Sequence, residues 1–275
     1  NTDLAVVQRL RTLLDDGLIE DTDILRLARL MGASFSRLVD AQLTVISQSM
    51  SAGAPQTLGD DSEHDVVSFM ETTMNFVWRR HLLAALAQSM NAGEADAQQA
   101  VGFVDLSGFS RVSKTATQEQ ITEIVETFEA MAFDVVSAHE GRVVKLIGDE
   151  VMFVAKTIDD AVAIAVDLIV RLAPIEIIPA VHCGVAFGQT VRVGGDVFGP
   201  TVNLASRLTG LARPDSVVVP RVDGQHLLDR EDLDVRWVRR HYDLKGVGRT
   251  RIISIRPLTD ESEGRDEPDE SDEPD

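Results

Sequence analysis

The chain has 275 residues, of which 44% are hydrophobic, and a formal net charge of −19. That composition is globular, and no apolar run approaches the ~20 residues that cross a bilayer. The acidity argues against non-specific nucleic-acid binding, and a single cysteine, Cys183, excludes an intrachain disulfide and fits a reducing, cytoplasmic setting.

The start, Asn1-Thr2-Asp3-Leu4, has neither a basic nor an apolar leader, so no signal peptide is expected, and the missing Met suits a processed or truncated protein. Leu4, Val7, Leu10, Leu13 and Leu14 repeat at helical spacing up to Asp15-Asp16-Gly17. Ile24, Leu25, Leu27 and Leu30 predict a second short helix closing at Gly32. A third, capped by Ser34 or Ser36, would carry Phe35, Leu38, Val39, Leu43 and Ile46. Together the last two have a helix–turn–helix flavour, but their positions look more like core than base-reading groups, so bundle packing is the better reading. Residues 52–62 read as a loop and 63–90 as a long helix. The organisation expected is a helical domain at 1–90, a linker at 91–98, a second domain at 99–257 and an acidic, disordered tail at 258–275. Ten acidic residues against Arg265 give that tail −9 of the net charge.

Beyond the linker, strands alternate with helices. Strands are predicted at 101–106, 142–147, 151–155, 178–187 and 217–219 and around Trp237 and Ile252, with helices at 118–139, 159–172 and 201–211. The class is α+β. Two aspartates stand out. Asp105, in Phe103-Val104-Asp105-Leu106-Ser107-Gly108-Phe109-Ser110, and Asp149, in Lys145-Leu146-Ile147-Gly148-Asp149-Glu150, both sit where an apolar, β-branched run turns over. Either one alone reads as a turn or cap residue. Brought together they make an oxygen site for a hard divalent cation, as phosphoryl transfer requires.

Four segments in order carry a resemblance: the two just quoted, then Asp196-Val197-Phe198-Gly199-Pro200-Thr201-Val202-Asn203-Leu204-Ala205-Ser206-Arg207, then Leu244-Lys245-Gly246. With them, residues 101–257 resemble the catalytic domain of class III nucleotidyl cyclases. The resemblance implies a ferredoxin-like α+β catalytic domain behind an all-α regulatory domain, as in actinobacterial and mycobacterial adenylyl cyclases. It assigns Asp105 and Asp149 to two Mg²⁺ or Mn²⁺ ions per site. Lys145 and Asp196 become the pair that reads adenine, where guanylyl cyclases usually place glutamate and cysteine. Asn203 would orient the ribose, and Arg207 would stabilise charge on the transferring phosphorus. The backbone amides of Leu106, Ser107, Gly108, Phe109 and Ser110 would cradle phosphate oxygens.

Family sites are shared between two catalytic domains. This chain holds both half-sets once, so the resemblance implies a homodimer with two equivalent ATP sites and no membrane or nucleic-acid partner. Two departures stand out. His182-Cys183-Gly184 replaces the Arg-x-Gly of many relatives, whose arginine contacts the triphosphate, and Val247 replaces a second lysine. Residues 1–90 would help dimerise the chain and tune activity, with pH as one candidate signal through His64 and His81. Two alternatives stay open: a low-turnover nucleotide sensor and a nucleotide-responsive DNA-binding regulator.

Overall fold

The computed structural model describes residues 11–12, 16, 20–51, 62–91 and 98–258. Most of the expected helix at residues 4–14, of the loop at 52–62, of the linker and of the acidic tail lies outside the described residues. The chain divides into two units, Asn1–Gly93 and Glu94–Asp275.

In the first unit, α1 (Asp21–Ser51) and α2 (Ser62–Asn91) are long helices. The stop expected at Gly32 does not occur, because α1 runs through it and through Ser34 and Ser36. One glycine inside a helix costs about 1 kcal/mol, and a run of leucine, arginine, alanine and methionine on both sides outweighs it. The helix–turn–helix reading therefore loses its turn, and with it the feature that favoured a DNA-binding regulator. Leu25, Phe35 and Val39 on α1, and Phe69, Phe76 and Trp78 on α2, are exposed.

The second unit begins with β1 (Gln98–Leu106), a one-turn helix α3 (Phe109–Val112) and α4 (Gln118–Ala138). It continues with β2 (Arg142–Ile147), β3 (Glu150–Ala155), α5 (Ile158–Leu172) and β4 (Val181–Gln189). These four strands lie in the order β2-β3-β1-β4, all antiparallel. With α4 and α5 as the connections, this is the split βαβ arrangement of a ferredoxin-like fold. Both helices start on capping boxes, Thr117 with Gln120 and Thr157 with Asp160, each worth ~1 kcal/mol. Ile124, Phe128, Ala132 and Val135 form the buried stripe of α4. They pack with Ile164 and Leu168 of α5 on one face of the sheet. The strand expected from Ile178 starts only at Val181, because Ile178 closes a turn onto Ile175 and Pro179 follows it.

After β4 comes a hairpin that the sequence reading missed, β5 (Val191–Val193) and β6 (Asp196–Phe198). Gly194 and Gly195 turn it with φ of 61° and 85°, the left-handed values of a two-residue hairpin. Next come α6 (Pro200–Thr209), β7 (Ser216–Pro220), α7 (Arg221–Gly224), a 3₁₀ turn (Gln225–Asp229), β8 (Leu233–Leu244) and β9 (Gly248–Pro257). β7 pairs parallel to β4, and β9 and β8 complete a seven-stranded sheet.

The opposite face of the sheet carries α6, whose Ala205 and Leu208 bury against Val101, Met152 and Ala186. The approach is close enough that a Cβ on Gly184 would stand 2.1 Å from the Thr209 amide nitrogen and 2.5 Å from the Ala205 carbonyl oxygen. Only glycine lets α6 lie this near β4. A Gly184→Ala substitution should destabilise the domain by ~3 kcal/mol. A Gly32→Ala substitution, whose Cβ meets nothing within 4 Å, should stabilise α1 by up to ~1 kcal/mol. Urea unfolding followed by circular dichroism checks both signs.

Candidate active site

Cross-strand pairing puts three polar residues in one row. Asp105 on β1 faces Glu150 on β3 and His182 on β4, and cross-strand partners share a face. Val104 and Leu106 point to the side of α4 and α5, so Asp105 points to the side of α6. Asp149 sits in the turn between β2 and β3, and its carbonyl accepts the Leu106 N–H at 3.2 Å. That bond ties the turn to the end of β1 and brings the two aspartates within electrostatic reach.

The electrostatics are those of a carboxylate cluster short of positive charge. Burial raises the pKa of Asp105, Asp149 raises it further, and His182 and the Leu106 N–H offset part of the rise. Glu150 is pushed up to about 7, first by burial, then by Asp105 and Asp149, with Lys145 pulling the other way. Among the described residues no group of three or more His, Cys, Asp and Glu could hold a metal ion. Asp105 and Asp149 remain a repelling pair of oxygen donors. That donor set fits Mg²⁺, which typically takes one or two carboxylates and completes its shell with water and substrate phosphates.

On the same face, Lys145 Nζ donates to Asp196 Oδ2 at 2.8 Å. A bulge between Val143 and Lys145 sets the lysine opposite Met152, toward α6. Asp196 Oδ1 accepts the Val197 N–H at 2.7 Å, and the Phe198 ring centroid lies 5.8 Å from Nζ. Burial opposes the charge of Asp196. The Lys145 bond, the Val197 N–H and the field of Arg142 outweigh it and lower its pKa. An ammonium has three protons and a carboxylate about four lone-pair positions, so the pair keeps capacity for a ligand.

Asn203 and Arg207 lie one helical turn apart on the exposed side of α6. The commonplace account of a helix-surface arginine supplies a neighbouring acid. Among the described residues Arg207 makes no ion pair, and neither side chain has a hydrogen-bond partner. Proline at the first helical position and Gly199 as N-cap start the helix.

The turn after β1 differs from expectation. The Leu106 and Ser107 amides donate to the carbonyls of Asp149 and Ala180, at 3.2 and 2.7 Å, so backbone pairing carries on just past the end of β1. Only the amides of Gly108, Phe109 and Ser110 stand at the open turn. Lys245 is exposed in the turn between β8 and β9. A cavity of about 320 Å³ lined by Arg213, Arg236, Trp237, Tyr242 and Arg256 includes none of the candidate residues.

Sequence reasoning passed over Glu150, Arg142 and Phe198 as site components. The Gly-Gly pair between Val-Arg-Val and Asp-Val-Phe could have revealed the hairpin that carries Asp196 and Phe198. Nothing local marks Arg142, which touches the site only through folding.

Residues 93–255 match the family described as the Adenylate and Guanylate cyclase catalytic domain, and the chain belongs to that family. It is 34% identical over 239 residues to an adenylate cyclase of Streptomyces coelicolor, covering 84% of this chain and 63% of the relative. To a pH-sensitive adenylate cyclase of Mycobacterium tuberculosis it is 31% identical over 197 residues, covering 66% of this chain and 48% of that one. The chain thus spans about half to two thirds of the length of these relatives. Among solved structures, the catalytic core of a rhodopsin-guanylyl cyclase with converted specificity, in complex with ATPαS, superposes with a TM-score of 0.54 at 18% identity. That match covers 60% of this chain and 98% of that one. The adenylyl cyclase CyaB from P. aeruginosa gives 0.53 at 17%, covering 61% and 97%. The fold is that of these catalytic domains. Among the described residues no helix is long and apolar enough to cross a membrane.

Glu150 gives a pH test. Its folded pKa of about 7 exceeds its ordinary 4.5, so the folded state holds the proton more tightly. In protein free of divalent ions its contribution to stability is full below about pH 4.5 and declines as pH rises through 7. With solvent screening at this half-buried position the decline should be about 1–2 kcal/mol. Glu150→Gln should flatten that part of the stability–pH profile, measured by urea unfolding at pH 5 and 8.

Proposed function

We propose that the chain is an adenylyl cyclase that converts ATP to 3′,5′-cyclic AMP and pyrophosphate at two equivalent sites of a homodimer. The observation that carries this reading is the repelling pair Asp105 and Asp149 at the sheet edge, on a domain of the nucleotidyl cyclase family. Two Mg²⁺ or Mn²⁺ ions held there would supply Lewis acidity toward the ribose 3′-hydroxyl and the triphosphate.

The remaining work falls to the chain's own groups. The nucleophile is the substrate's 3′-hydroxyl, so no serine or cysteine nucleophile is needed. Lys145 donates to adenine N1 and Asp196 accepts from the N6 amine, and each holds the other in place before substrate arrives. Asn203 orients the ribose. Arg207, unpaired at rest, meets the charge that develops on the transferring phosphorus, a role worth ~10³-fold or more in comparable reactions. The amides of Gly108, Phe109 and Ser110 face phosphate oxygens. The exposure of Asn203 and Arg207 is what a site completed by a second copy requires.

Residues 1–90 fit a dimerising and regulatory role. The exposed apolar residues of α1 and α2 are of the kind a helical dimer buries. Similarity to a pH-sensitive cyclase supports pH as the signal. His64 and His81 lie on α2, and their side chains are outside the described set. A second reading, a nucleotide sensor with little turnover, is favoured by His182, which faces Asp105 where many relatives have a triphosphate-binding arginine.

Purified protein assayed with ATP and GTP, each with Mg²⁺ and Mn²⁺, should form cyclic AMP from ATP. Binding without turnover under Mn²⁺ would select the sensor. Asp105→Ala and Arg207→Ala should each lower turnover at least 10³-fold. Mixing the two variants should restore one intact site per heterodimer; two dimeric variants that stay inactive together would refute the shared site. Lys145→Glu combined with Asp196→Cys should raise the GTP-to-ATP activity ratio, read from product formation on each nucleotide. If 1–90 regulates, the full chain and residues 98–257 should differ in activity somewhere between about pH 5 and 8, the range over which histidine titrates.

A further inference from the structure

His182 occupies a position that the proposed chemistry leaves without a role. It lies on β4 directly across from Asp105, with its side chain 15% exposed. Its Nε2 stands 3.3 Å from Asp105 Oδ2, and its Nδ1 is 2.9 Å from Ser107 Oγ. Ser107 is held in turn by its own N–H, which donates to the Ala180 carbonyl at 2.7 Å. The imidazole therefore bridges the last residue but one of β1 and the turn that follows, from a strand pinned to both.

The contacts discriminate between the two neutral forms of the ring. If Nδ1 carried the only proton, Nε2 would present a lone pair to a carboxylate oxygen, which is repulsive. With the proton on Nε2 and the serine hydroxyl donating to Nδ1, both ring nitrogens meet an attractive neighbour. The same choice turns an N–H toward Oδ2 of Asp105.

We infer that His182 is a positioning residue for Asp105: as the Nε2–H tautomer, fixed by Ser107, it orients the carboxylate so that one oxygen is presented to a divalent cation. This rests on the reading of Asp105 as a metal carboxylate. A polar partner behind a metal ligand characteristically fixes the ligand's orientation, and its loss weakens metal binding ~10- to 100-fold. The position that in many relatives serves the substrate's phosphates here serves the metal ligand. A histidine this enclosed and already engaged on both nitrogens has no donor left for a triphosphate.

The test measures Mn²⁺ binding directly, by electron paramagnetic resonance on the full chain without nucleotide, beside ¹⁵N NMR of the histidine rings. His182 should show the Nε2–H tautomer, and Ser107→Ala should mix the tautomers. His182→Ala should weaken Mn²⁺ binding ~10-fold, while His182→Gln, which keeps an N–H near the same place, should recover part of it. In turnover, the half-saturating Mn²⁺ should rise in His182→Ala, with KM for ATP at saturating metal little changed. Mn²⁺ affinity unchanged by His182→Ala but lost in Asp105→Asn overturns the inference and leaves the metal reading intact. Affinity unchanged in Asp105→Asn overturns the metal reading itself. The Nδ1–H tautomer in the unmodified protein overturns the inference whatever the variants do.

Discussion

The pairing register of β1 with β3 and β4 governs the rest of this domain. A strand places alternate residues on opposite faces, so a slip of one residue would send Asp105 into the apolar layer under α4 and α5 and bring Val104 out. The register is fixed from both sides. Val104, Leu106 and Ala100 bury in one cluster, and Val101 and Phe103 in the other. With β1 buried on both faces, each apolar side chain holds the acidic one in place. Glu150 and His182 then fall beside Asp105 because of where they stand on their own strands, and the Leu106 N–H draws in Asp149.

The carboxylate row is electrostatically unfavourable taken alone. For Asp105 and Glu150, burial and the repulsion of neighbouring carboxylates, Asp149 among them, both oppose ionisation. The nearest compensation from the protein is His182 at one end and Lys145 toward the other, and Lys145 is already bonded to Asp196. Acids held in this state mark a candidate functional site. The Lys145–Asp196 pair shows the opposite condition: Asp196 has an ammonium, a backbone N–H and a nearby guanidinium, so its charge is settled before any ligand arrives. One sheet face thus carries both a strained cluster and a settled pair, and the two differ in how much of their charge the protein itself neutralises.

The close approach of α6 at Gly184 completes the arrangement. By lying almost on the backbone of β4, the helix buries Ala205 and Leu208 and turns Asn203 and Arg207 outward. Exposed in this way, both are open to a partner from outside the subunit, as the proposed shared site would supply.

Most secondary-structure elements of the catalytic domain were legible in the chain, because buried stripes such as Ile124–Phe128–Ala132 and β-branched runs such as Val217–Val218–Val219 leave a periodicity that local physics reads directly. The errors were also local. Gly32 was given too much weight against helix formers on either side, and the Gly194-Gly195 hairpin was given too little. Asp105 and Asp149 stood out from their strand-end contexts, and Lys145, Asp196, Asn203 and Arg207 entered through the resemblance that their segments carry. Sequence alone determined the local elements and which segments resemble the family, because both are written in contiguous residues. Only the tertiary structure decided what meets what: that His182 backs Asp105, that Glu150 joins the carboxylates, that the Leu106 and Ser107 amides are engaged within the sheet, and that Lys145 finds Asp196 across 51 residues of chain. Such contacts follow from strand pairing and helix approach, and those depend on the whole core at once.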